Sequence, residues 1–135
     1  MKKPRTGPNQ HMQSLQAIVK MFEEGKAKQF AIVCDAHVMG ELVDRGGAAV
    51  QALGYPVLYS RHMASISGGT NDNKKGLGLE INYLALNHDT IDRLRGRPLY
   101  VFNIAEMGVH TLSLDNLRHL DDLIAEMNSR MELPQ

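Results

Sequence analysis

The stretch Phe30-Ala31-Ile32-Val33-Cys34-Asp35 constrains this chain more than any other. Its apolar residues follow one another without a polar break, over a length too short for a helix. A half-exposed strand would alternate; a run like this one is a strand covered on both faces. Such strands lie inside a sheet that carries helices above and below. A second run, Leu99-Tyr100-Val101-Phe102-Asn103-Ile104, has the same character. Two buried strands of this kind, the first of them central, point to a layered α/β domain.

The remaining elements fit between and around these runs. Met12, Leu15, Ile18, Val19 and Phe22 recur at helical spacing from His11, with Asn9 or Gln10 at the start and Gly25 in the C-terminal capping position. Glu41 to Leu53 has helical spacing despite Gly46 and Gly47, which implies close packing of backbone against that helix. Pro56 to Met63 reads as a second strand, followed by a polar loop from Ser65 to Gly76. Leu77, Leu79, Ile81 and Tyr83 alternate with polar residues and predict a half-exposed strand running into Leu84-Ala85-Leu86, paired as a hairpin around that loop. A short helix, Thr90 to Leu94, follows Asn87 and Asp89, and Gly96 stops it before Pro98. Ser113 caps a last helix bearing Leu114, Leu117, Leu120, Leu123, Ile124 and Met127 on one stripe. This order predicts a single mixed sheet of about four strands with helices packed on its faces. Residues 1–10, with Lys2, Lys3 and Arg5, read as a disordered basic arm, and residues 11–135 as a single domain.

At 135 residues the chain is sized for one core. Its 15 Lys and Arg balance 15 Asp and Glu. No global positive field therefore exists to drive counterion release, so binding to a nucleic-acid backbone is disfavoured. No apolar run approaches the roughly 18 residues of a membrane span. The single cysteine, Cys34, cannot form an internal disulfide, and its apolar neighbours mark a buried residue rather than a nucleophile. With no secretion signal in view, a cytoplasmic location is expected. If the apolar arc of the last helix is too wide for one contact, the surplus favours a homo-oligomer.

Several of these stretches together resemble a known layout: the strand Phe30 to Asp35, the helix Arg45-Gly46-Gly47-Ala48-Ala49-Val50-Gln51-Ala52-Leu53-Gly54, the strand-to-helix passage from Leu84-Ala85-Leu86-Asn87 to Arg95, and the strand Leu99 to Ala105. They are similar to bacterial domains of unknown function allied in fold to type-two peptidyl-tRNA hydrolases, over roughly Phe30 to Met127. The resemblance implies that fold. It does not carry the activity, because the hydrolase pattern has an Arg after the strand and a Gly-Lys at the helix entrance, where this chain has Cys34-Asp35-Ala36-His37-Val38-Met39-Gly40-Glu41. A carboxylate at Glu41 would repel substrate phosphates.

Residues at the carboxyl ends of parallel strands are where α/β sheets bind ligands. The first run ends on Asp35 and His37, and the last is followed by Glu106 and His110. If the two strands are parallel neighbours, Asp35, His37, Glu106 and His110 share one crevice and suit general acid–base chemistry or a divalent metal. The bland account has Asp35 capping the next helix and the histidines in solvent. No metal motif is present, and no metal or cofactor is assigned. The second candidate is the loop, where Ser67, Gly68, Gly69, Thr70, Lys74 and Lys75 have the backbone freedom and donors to hold an anion; a flexible, soluble turn explains the same residues. The expected function is a non-enzymatic domain binding an anionic small molecule or nucleotide. A hydrolase built on the Asp35 cluster and an oligomeric interaction module are the alternatives.

Overall fold

A computed structural model describes residues 8–52, 57–60, 65–68, 79–87, 90–94, 99–105 and 114–131. The elements are α1 (Pro8–Glu23), β1 (Gln29–Cys34), a 3-10 turn (Ala36–Val38), α2 (Met39–Ala52), β2 (Val57–Ser60), β3 (Ser65–Gly68), β4 (Leu79–Ala85), α3 (Thr90–Leu94), β5 (Tyr100–Asn103) and α4 (Leu114–Met131). They build a mixed α/β domain on one sheet of order β2-β3-β4-β1-β5. β1 pairs in parallel with β4 on one side and with β5 on the other, while β3 runs antiparallel to both β4 and β2.

β1 is the inner strand its composition predicts, because each face has its own core. Phe30, Ile32 and Cys34 join Leu79, Ile81 and Tyr83 of β4 under Leu15, Ile18 and Val19 of α1 and Leu42, Val43 and Val50 of α2. Ala31 and Val33 face the other way, toward Leu84, Leu94, Val101 and the α4 residues Leu120, Ile124 and Met127. Burying each large aliphatic side chain contributes about 1.5–3 kcal/mol, so both faces of β1 hold the domain together. Gly46 and Gly47 lie on the buried stripe of α2, in line with Leu42, Val43 and Val50.

The sheet has five strands rather than the expected four. The additional one is β3, formed by the first residues of the segment expected to be a loop. Ser65-Ile66-Ser67-Gly68 has little strand propensity of its own. Its pairing with β2 and β4 supplies the ladder that composition did not advertise. The rest of the expected loop, 69–76, lies outside the described residues. α1 begins at Pro8, so the last residues assigned to the basic arm are helical. Proline suits a first helical position, where its missing N–H has no partner to lose. Ser113, the expected cap of α4, is outside the described residues.

α1 ends where the sequence places its stop. Gly25 has φ of 74°, its N–H donates to Phe22 O (3.1 Å), and Lys26 N–H donates to Met21 O (2.9 Å). This paired closure requires a left-handed residue that only glycine adopts without strain. Gly25→Ala is expected to lower stability by about 1 kcal/mol in urea unfolding. No neighbour lies within 4 Å of the added Cβ, so the loss would come from the backbone alone. A variant as stable as the parent would contradict this account.

Candidate functional site

The parallel strands β4, β1 and β5 end together. Cys34 is level with Ala85, and Val33 with Asn103. The ladders extend one step further, through Leu86 N–H to Cys34 O and Ile104 N–H to Val33 O, both 2.8 Å. Beyond this line the chain divides. β1 leads into α2 on the Cys34 face, whereas β4 and β5 lead into α3 and α4 on the opposite face. Divergence of neighbouring connections to opposite faces opens a crevice at the carboxyl edge of a parallel sheet. The two apolar runs are parallel neighbours, and Asp35 sits where their connections part.

Each strand exit is braced by polar groups. Asp35 is 2% exposed and extended (φ −77°, ψ 140°) at the head of the 3-10 turn. Its side chain makes no capping hydrogen bond; the turn is closed by backbone, Val38 N–H to Asp35 O at 3.2 Å. The helix-capping account of Asp35 is thus replaced by a buried carboxylate at the sheet edge. At the end of β4, the Thr90 hydroxyl donates to Ala85 O (2.8 Å) and accepts from Asn87 N–H (2.9 Å). After β5, Asn103 Oδ1 accepts from Ala105 N–H at 3.0 Å. Asn87 and Asn103 are half-buried, and His37 is exposed.

The candidate residues separate into groups. Asp35 and His37 stand at the fork, the first beneath the surface and the second on it. Glu106 and His110, expected to join them, lie outside the described residues. Ser67 and Gly68 belong to β3, and Gly68 is level with Leu79 at the amino end of β4. The length of β4, roughly 20 Å at about 3.3 Å per residue, separates that position from the carboxyl edge. Ser67 and Gly68 therefore stand at the opposite end of the sheet from Asp35. Gly69, Thr70, Lys74 and Lys75 are outside the described residues. Arg45 is engaged with Glu41 one turn away, at 2.6 Å on the exposed side of α2.

A polar pair that the sequence reading left without a role lies behind the site. His11 Nε2 and Tyr83 Oη share a hydrogen bond of 2.7 Å, with the rings edge to face and both residues about 1% exposed. Burial, and then the Arg45 guanidinium, lower the His11 pKa to about 4, so the imidazole is neutral near pH 7. Burial also raises the Tyr83 phenol, with the neighbouring Cys34 adding to the effect. The Cys34 thiol is pushed up to about 12 by burial and by Asp35, which keeps it protonated and unreactive. The signal for His11 was present in the helical period: His11, Leu15, Ile18 and Phe22 fall on one stripe, which places the imidazole inward. Among the described residues, no three His, Cys, Asp or Glu side chains come together as a metal site. No described helix is long and apolar enough to cross a membrane.

Comparison with known proteins finds no family model, curated protein or solved structure that matches this chain.

Proposed function

We propose that this chain is a small-molecule-binding domain whose ligand occupies the carboxyl edge of β4, β1 and β5. The observation that carries the reading is the fork at Asp35, where β1 departs to one face and both of its parallel neighbours depart to the other. The half-buried amides of Asn87 and Asn103 and the exposed imidazole of His37 form the rim, with the Asp35 carboxylate beneath. A buried carboxylate favours hydrogen-bond donors. Two like charges 4 Å apart at a protein surface repel by about 4 kcal/mol, so the anionic part of a ligand must lie away from Asp35. A nucleotide meets both conditions, presenting sugar hydroxyls to the carboxylate and keeping its phosphate at a distance. In this reading the chain shares the architecture of the domains allied to type-two peptidyl-tRNA hydrolases without their activity, since Glu41 replaces the expected lysine.

Amide NMR spectra recorded with adenosine, AMP and inorganic phosphate test the reading. Adenosine and AMP are expected to shift the amides of residues 35–37, 87 and 103–105, and Asp35→Asn to weaken that response about tenfold. Phosphate alone should leave these amides unmoved. If neither nucleoside nor nucleotide at millimolar concentration perturbs the carboxyl edge, the proposal fails. Phosphate release from the nucleotide would move the assignment to a hydrolase.

A further inference from the structure

Among the described residues, β5 lies at the end of the sheet and is paired by β1 alone. Backbone groups along a strand point alternately to either side. Ile104 N–H is directed inward to Val33, so Val101 presents its N–H and C=O outward. Both are taken up by one side chain of α4: Asn128 Oδ1 accepts from Val101 N–H at 2.7 Å, and Asn128 Nδ2 donates to Val101 O at 2.8 Å. These are the two bonds that the peptide of another strand would make. The α4 residues Leu120, Ile124 and Met127 pack onto the face of the sheet with Ala31, Val33 and Val101, so the body of the helix stands above the sheet. It is the Asn128 amide that reaches down into the plane.

We propose that the outer edge of β5 is a strand-addition site held shut by Asn128, and that the strand it admits when opened is β5 of a second copy of the chain. An edge strand is complementary to itself when turned antiparallel about a two-fold axis. Tyr100-Val101-Phe102-Asn103 carries no charge, so two copies meet without like-charge repulsion. It also lacks the lysine or proline with which proteins commonly guard an edge. The Tyr100 and Phe102 rings, centroids 5.3 Å apart, continue a row that begins at Phe30. A two-fold axis near Phe102 would carry that aromatic row across the seam. Asn128 does the work of a guarding residue from outside the strand, and its withdrawal frees the outward N–H and C=O of Val101.

Sedimentation velocity and amide hydrogen exchange on the full chain, across a range of concentrations, test the proposal. Asn128→Ala is expected to stay folded and to associate to twice the mass of the wild type, with Val101 N–H protected only in the associated form. Adding Phe102→Lys to that variant should restore the wild-type mass, because two lysines then face each other across the seam. A folded Asn128→Ala protein whose mass follows the wild type throughout would overturn the proposal. If Asn128→Ala does not fold, Asn128→Asp replaces it under the same two readings. It keeps the acceptor for Val101 N–H and sets a carboxylate oxygen against Val101 O. Failure of both variants to fold would also overturn the proposal, by making the contact a requirement of the fold.

Discussion

Acidification from pH 6.5 to pH 4 is expected to remove up to about 3 kcal/mol of stability through His11 alone. Its pKa is lowered from 6.5 to about 4 in the folded chain, first by burial and then by Arg45. In that interval the unfolded chain binds a proton that the folded chain refuses, so stability falls as the pH falls. The contribution is complete above pH 6.5, declines by at most about 1.4 kcal/mol per pH unit, and is exhausted below about pH 4. The physical cause is the seat of α1. The imidazole is enclosed against Tyr83, and an imidazolium there would be a charge taken out of water close to a guanidinium. Urea unfolding of the wild type and of His11→Gln between pH 7 and pH 4 measures the effect. Carboxylates titrate in both proteins over the lower part of this range, so the difference between the two slopes isolates His11. Parallel slopes would show that His11 is not protonated on unfolding and would remove this account of α1.

Thr90→Val is expected to cost about 2–3 kcal/mol although it scarcely changes the volume of the side chain. Thr90 is fully buried, and its hydroxyl joins Ala85 O to Asn87 N–H across the exit of β4. Valine fills the same space and leaves both backbone groups without their partner, and each such loss is worth about 1–3 kcal/mol. The Thr90 N–H bond to Asn87 O is made by backbone and persists in the variant. The exit should therefore loosen without unravelling. Thr90→Ser retains the hydroxyl, loses one methyl and should stay within about 1 kcal/mol of the wild type. Denaturant midpoints of the three proteins at constant slope decide the matter. Valine and wild-type proteins of equal stability would mean that water replaces the hydroxyl. The same variant bears on the proposed ligand site, because Asn87 contributes to its rim.

Burial on one or two faces is written locally in a chain, and the elements that depend on it are legible without coordinates. The unbroken apolar run of β1, the alternation of β4 and the leucine stripe of α4 each report how many sides an element hides, so their positions follow from neighbouring residues. Asp35 was legible for the same reason, as a carboxylate directly after an inner strand. The helix-capping account of it fails because the following turn is closed by backbone hydrogen bonding.

What no local pattern encodes is which strand lies beside which. Ser65 to Gly68 becomes a strand only because β2 and β4 flank it, and the order of the sheet then puts Ser67 and Gly68 at the far end from Asp35. The His11–Tyr83 bond spans 72 positions and the Asn128–Val101 pair 27, so each exists only once the layers have assembled. Short-range periodicity decides which face of an element seeks cover, and the sheet order decides which distant residue provides it.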